Sequence, residues 1–112
     1  MAGLRGNEQL YRRLLARFRD HEADFAARFG AARAANDMLT ATRLAHDLKS
    51  ASGTLGATAV REAADALEYA CANGAGSAVI DALFAAVVEH LDPVIDGLRS
   101  LEAGSARAGA VQ

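Results

Sequence analysis

Apolar residues recur at three- and four-residue steps along most of this chain of 112 residues. Segments with such a stripe cover about 7–32, 38–55, 59–73 and 77–101. Since an α-helix turns once every 3.6 residues, this spacing predicts amphipathic helices. No segment shows the sustained alternation of apolar and polar residues that predicts a half-buried strand. The chain is therefore predicted to be all-α.

Short polar and glycine-containing segments mark the ends of these predicted helices. Asn36 and Asp37 form a turn signal, and the glycine-rich residues 73–76 form a second one. Gly56 lies where a helix C-terminal glycine adopts a left-handed conformation. Thr58 and Ser77 precede the next two stripes and are predicted N-caps.

Two features leave the number of helices open. The first stripe is either one helix or two helices with a break near residues 20–21. Pro93, the only proline, is predicted to kink or split the last helix. We predict an antiparallel up-and-down four-helix bundle over residues 7–102, with or without an additional N-terminal helix. Residues 1–6 and 103–112 are predicted to be flexible tails.

Composition and charge narrow the classes of function. The chain is 52% hydrophobic and 23% charged, which is ordinary for one globular domain. Its net charge of −2 gives no general attraction to nucleic acid or anionic lipid. No run of 18 apolar residues is present, so we expect no membrane insertion. The single cysteine, Cys71, forms no internal disulfide, which is compatible with a cytoplasmic location.

His46 is the most informative residue of the second predicted helix. The apolar stripe of this helix, which contains Leu44, Leu48 and Leu55, falls about 140° to 200° around the axis from His46. If that stripe faces the core, His46 faces water. The exposed face then carries the following neighbours of His46: Leu39, Thr42, Arg43, Lys49, Ser50 and Gly53.

The exposed face combines a nucleophile, two cations and small side chains. Neutral imidazole is nucleophilic near pH 7. Arg43 and Lys49 are predicted to flank it and to stabilise an attached phosphoryl group. Ser50 and Gly53 leave His46 unscreened, so that the surface of another protein can approach. The alternative is that His46 is an ordinary solvated residue and the glycines only end a helix.

The segment AHDLKSASGTLGA, residues 45–57, resembles the signature of histidine-containing phosphotransfer (HPt) domains. The preceding AANDMLTATRLAHDLK and the following REAADALEYACANG, with its Leu-Glu segment, also resemble this family. The resemblance extends over about residues 10–101. Two positions depart from the family pattern: Ser50 stands where a glycine commonly follows the lysine, and Asp47, which points away from His46, stands where threonine is frequent.

The resemblance implies a relay of phosphoryl groups by a helical bundle. His46 would be the phosphoacceptor, through Nε2, and Lys49 would stabilise the phosphoryl group. The partner would be the aspartate of a response-regulator receiver domain, which would also supply Mg²⁺, so no cofactor of the chain's own is expected. The chain has no glycine-rich phosphate loop and no kinase motif, so we expect no ATP site and no enzyme activity.

The remaining expectations concern partners and rival classes. The chain is expected to be a monomer, either free-standing or a module of a hybrid sensor histidine kinase. No Glu-x-x-His pair supports a di-iron bundle, and we predict no metal site. A bundle that binds partners without carrying phosphate is the other alternative, although such a bundle needs neither His46 nor Lys49.

Overall fold

The computed structural model describes the backbone of residues 2–111 and the side chains of residues 8–101. Its helices are α1 (Ala2–Glu22), α2 (Phe25–Ala34), α3 (Met38–Leu55), α4 (Thr58–Ala72) and α5 (Ser77–Val111). No strand occurs in residues 2–111. Helices α1 and α2 form the two arms of one bent helix, which packs against α3, while α3 packs on α4 and α4 on α5. The predicted all-α bundle of four helices is confirmed.

The bend between α1 and α2 lies three residues later than predicted, at Ala23 and Asp24. Arg28, in the first turn of α2, holds the two arms together. Its guanidinium donates a hydrogen bond of 2.6 Å to the carbonyl oxygen of His21 and lies 3.2 Å from the carboxylate of Asp24. The hydrogen bond satisfies a backbone carbonyl that the end of α1 leaves without a helical partner.

Side chains and a glycine define both ends of α3. The Asp37 carboxylate accepts hydrogen bonds from the Thr40 amide and hydroxyl, at 3.1 and 2.7 Å, and these bonds lower the pKa of Asp37. Gly56 has φ 83° and ψ 14°, as predicted for a left-handed C-terminal glycine. The Ala57 amide closes this end with a bond to the Ser52 carbonyl oxygen.

The two predicted N-caps are wrong. Ala57 is the N-cap of α4, and Thr58 is the first residue of the helix. Helix α5 similarly begins with Ser77, because the Ile80 amide donates to the carbonyl oxygen of Gly76. Pro93 lies inside α5 and does not split it. Leu91 and Ile95 are buried on either side of Pro93, so core packing on both sides outweighs one missing backbone hydrogen bond.

The core contains a cluster of three phenylalanines, two of which lie on α2, the second arm of the bent helix. Phe25 and Phe29 of α2 are fully buried, and their ring centroids lie 6.1 and 4.6 Å from that of Phe84 in α5. Such aromatic pairs add about 0.5–1.5 kcal/mol to the free energy gained by burial alone. They fix α2 against α5, next to the ion pair between Arg33 and Asp81.

The buried stripe of α3 differs from the predicted one. Its fully buried residues are Ala41, Ala45, Leu48 and Ser52. Leu44, Ala51 and Leu55 are only half-buried. The stripe is therefore rotated by about 60° toward α4. Small buried residues on α3 and α4, such as Ala45 and Ala64, allow the two helices to pack closely. The prediction had instead placed Leu44 and Leu55 at the centre of the buried face.

The two predicted tails fall partly outside the described residues. Helix α1 begins at Ala2 and α5 continues to Val111, so the backbone in most of both segments is helical. The side chains of residues 1–7 and 102–112 lie outside the described part of the chain. The flexibility of the tails and the domain boundary of 7–102 stay predictions. None of the helices, over the residues that the structure describes, contains an apolar stretch that could span a bilayer.

Glu22, the last residue of α1, is buried, and its burial should make the free energy of unfolding depend on pH. Burial, opposed by Arg28 and assisted by the carboxylates of Asp47 and Asp24, raises the pKa of Glu22 from 4.5 to about 6. A raised carboxyl pKa means that the folded state binds the proton more tightly, so stability is lost as the pH rises from 4.5 through 6. Glu22→Gln should therefore raise the free energy of unfolding near pH 7.5 by up to about 2 kcal/mol.

Urea unfolding of both proteins near pH 7.5 and near pH 4 measures this effect, because the gain should largely vanish at the lower pH. The exposed Glu62, changed to Gln, is the matched control and should show no such pH-dependent gain. Equal stability of Glu22→Gln and the native chain at the higher pH would contradict the argument.

Candidate functional site

His46 lies on the exposed face of α3, and its side chain is 56% exposed. The rotation of the buried stripe does not bury it, because the stripe still lies more than a quarter of a turn away. Most predicted neighbours are also exposed: Leu39, Arg43, Ser50 and Gly53. Thr42 is half-buried, and its hydroxyl donates to the Met38 carbonyl oxygen at 2.7 Å.

Glu68 of α4 orients the imidazole. The Nδ1 atom of His46 lies 2.6 Å from Oε2 of Glu68. A carboxylate only accepts hydrogen bonds, so this contact places a proton on Nδ1. In the neutral ring the other nitrogen, Nε2, then carries the lone pair. The contact thus selects the tautomer in which Nε2 is the nucleophile.

Lys49 is held by two carboxylates of α4. Its Nζ atom lies 2.9 Å from Oδ1 of Asp65 and 3.1 Å from Oε1 of Glu68. Hydrogen bonds to Asp65 and then Glu68 raise the pKa of Lys49. Partial burial acts to raise the pKa of Glu68, but the hydrogen bonds from Lys49 and His46 lower it overall. Glu68 is therefore ionised at neutral pH. One of its carboxylate oxygens contacts Lys49 and the other contacts His46.

The surroundings of His46 differ electrostatically from the predicted ones. Arg43 and Lys49 were expected to flank the ring as two cations. A carboxylate contacts the ring instead, and the charge of Lys49 is shared with Asp65 and Glu68. The ring therefore lies beside a carboxylate, where two cations had been predicted.

Gly53 contributes to the site in a way that differs from the prediction. We expected it to leave bare surface along α3. In the structure the side chain of Arg61 lies against it, and a Cβ atom at Gly53 would be 3.2 Å from Cδ of Arg61. The absence of a side chain on Gly53 thus provides the space for an arginine of α4 at this end of the exposed face.

Glu68 and Asp65 are two residues of the site that were not predicted from the sequence. Glu68 belongs to the Leu-Glu segment that supported the family resemblance, but no role was assigned to it. Both residues lie three positions apart on α4, which places them on one helix face. An acidic pair at this spacing, on the helix that follows His46 and Lys49, is the signal that could have identified them.

The other candidate groups do not join this site. His21 and His90 are exposed, and Cys71 is buried and unpaired. Among the described residues, no three His, Cys, Asp or Glu side chains are grouped so that they could hold a metal ion. A cleft of about 230 Å³ lies between α1 and α3, and none of the predicted site residues lines it.

Comparison with known proteins identifies the family. The family model of the Hpt domain matches residues 13–101, which is most of the chain and includes every residue of the site. No curated protein and no solved structure matches the chain. The chain therefore belongs to the Hpt domain family, whose members are phosphocarrier modules of two-component signalling.

Proposed function

We propose that His46 accepts a phosphoryl group from the aspartyl phosphate of a response-regulator receiver domain and can return it. One observation carries this proposal: the imidazole is exposed while its Nδ1 atom is bound to Glu68. This arrangement leaves the lone pair of Nε2 available to a large partner. An ordinary solvated histidine needs no such carboxylate.

The transfer step follows from the tautomer of His46. The Nε2 lone pair forms the new N–P bond, and the bond between phosphorus and the receiver's carboxylate oxygen breaks. Its electron pair stays on that carboxylate. The proton remains on Nδ1, so the phosphorylated ring becomes an imidazolium. Glu68 contacts this proton and stabilises the positive charge that develops during transfer.

Lys49 and the partner would balance the charge of the phosphoryl group. Lys49 lies three residues after His46, on the same face of α3, and its raised pKa keeps it protonated. We expect the receiver to hold Mg²⁺, which neutralises the phosphoryl oxygens during transfer. The chain then needs no cofactor of its own and no ATP site.

The docking surface in this proposal is the exposed face of α3 around His46. Its residues are Leu39, Thr42, Arg43, Ser50 and Gly53. Leu39 is 73% exposed, which is a large apolar surface for a partner to cover. We further propose that the chain acts as a cytoplasmic monomer, either alone or as part of a hybrid sensor kinase.

Incubation with a phosphorylated receiver domain, followed by mass spectrometry, tests this function. We expect the chain to gain one phosphate that acid removes, since an N–P bond at histidine is acid-labile. Binding of the receiver without transfer of phosphate would contradict the proposal and support the pure interaction bundle.

Ser50→Trp tests the docking surface. The indole should keep the receiver away from His46 and block transfer, while the free energy of unfolding changes by no more than about 0.5 kcal/mol at an exposed site. Transfer assays and urea unfolding measure the two effects. Ala85→Trp, at an exposed position of α5, is the matched control and should transfer normally.

Phosphoramidate, a small donor that phosphorylates imidazole, distinguishes a blocked surface from a damaged site. It should still modify His46 in Ser50→Trp. Unfolding of this variant, or normal transfer from the receiver, would contradict the assignment of this face.

A further inference from the structure

The ammonium group of Lys49 has two carboxylate partners before any phosphoryl group arrives. Its Nζ atom is 2.9 Å from Asp65 and 3.1 Å from Glu68. Glu68 uses its other oxygen for His46, so it has a second task in the site. Asp65 has no other hydrogen bond or ion pair among the described residues. Within the described part of the chain, the contact with Lys49 is therefore the one interaction through which Asp65 acts on the site.

A phosphoryl group on Nε2 of His46 would compete for the same ammonium. Lys49 and His46 are three residues apart on α3, where Cβ atoms are about 5–6 Å from each other. A rotation about the flexible Lys49 side chain moves Nζ between α4 and a phosphoryl oxygen. Since Lys49 is 35% exposed, no packed core prevents this motion. The two positions differ in whether the ammonium neutralises Asp65 or the phosphoryl group.

We propose that Asp65 is a positioning residue that competes with phosphorylated His46 for Lys49 and so keeps the phosphoryl group reactive. The inference rests on the proposed function of His46. Asp65 draws the ammonium toward α4 and leaves more negative charge uncompensated on the phosphoryl oxygens. The phosphorylated state is then less stable, and His46 returns its phosphoryl group more readily.

Hydrolysis of phosphorylated His46 reports this effect without any partner. Water attacks phosphorus, the N–P bond breaks, and its electron pair returns to Nε2. The two protons of the water remain on the phosphate, which leaves as H₂PO₄⁻. The proton of Nδ1 stays on the ring, hydrogen-bonded to Glu68. The neutral imidazole is regenerated, so charge is conserved. A phosphoryl group held by Lys49 should undergo this step more slowly.

The experiment compares the lifetime of phosphohistidine in the native chain and in Asp65→Asn, each phosphorylated with phosphoramidate. Asparagine keeps the shape of Asp65 and removes its charge. We expect the lifetime to rise roughly two- to fivefold, the range for loss of a partly exposed ion pair. Equilibration with a receiver domain should shift toward phosphorylated His46 by a similar factor. Asp65→Glu, which keeps the charge, should restore the native lifetime.

Two further variants separate a positioning role from a general change in charge. Glu62→Gln removes a charge from the same helix at an exposed position and should leave the lifetime unchanged. In a Lys49→Ala background, Asp65→Asn should have no effect, because its route to the phosphoryl group is gone. An unchanged or shorter lifetime in Asp65→Asn, or the same gain without Lys49, would overturn the inference. Failure of the receiver to phosphorylate His46 would instead overturn the proposed function.

Discussion

Replacing His46 with glutamine is expected to abolish phosphorylation by a phosphorylated receiver domain. An amide nitrogen has no available lone pair, so no N–P bond can form at this position. Glutamine is close to histidine in size, and its amide can still donate a hydrogen bond to Glu68. We therefore expect the variant to fold and to bind the receiver while the acid-labile phosphate falls below detection by mass spectrometry.

The two other histidines of the chain are matched controls. His21 and His90 are both exposed, as His46 is, but within residues 8–101 neither forms a hydrogen bond or ion pair with a carboxylate as His46 does. His21→Gln and His90→Gln should gain phosphate at the native rate. Retention of acid-labile phosphate by His46→Gln, or its loss in one of the controls, would show that another histidine is the acceptor.

The largest effect on stability is expected from Leu48→Ala. Leu48 is fully buried in the centre of the α3 stripe, two residues from His46. Truncation removes apolar contacts and leaves a cavity, which costs about 2–5 kcal/mol. Urea unfolding, followed by circular dichroism, measures this loss. At temperatures where the variant stays folded, phosphorylation of His46 should persist, because His46 points away from the cavity.

Leu39→Ala is the control on the same helix. Leu39 is 73% exposed, so the same truncation should change the free energy of unfolding by no more than about 0.5 kcal/mol. A similar loss of stability in both variants would contradict the structure, in which Leu48 is buried and Leu39 is exposed. The pair therefore tests the orientation of α3 independently of any assay of function.

The orientation of His46 could be predicted although the buried stripe was not placed correctly. The observed stripe consists of Ala41, Ala45, Leu48 and Ser52, whereas the predicted Leu44 and Leu55 are only half-buried. His46 lies far enough around the helix that a rotation of about 60° leaves it exposed. The prediction was correct because a residue opposite the core stays exposed even when the buried stripe is misplaced by several tens of degrees.

The N-caps show where local signals were insufficient. Thr58 and Ser77 both have side chains that cap helices well, yet each is the first residue of its helix. The close connection between α3 and α4 places Ala57 at the cap, since its amide also closes the end of α3. The geometry of the tight turn therefore overrides the preference of a single side chain.

The amino-acid sequence by itself determined that the chain is helical, where most helices begin and end, and that His46 faces outward. These properties depend on residues within a few turns of one another. The contacts of Asp65 and Glu68 were decided only in the tertiary structure, by the register of α4 against α3. Sliding α4 by one turn, about 5.4 Å, would put Ala72 in place of Glu68 opposite His46. Periodicity does not specify this register; the close packing of small buried side chains does.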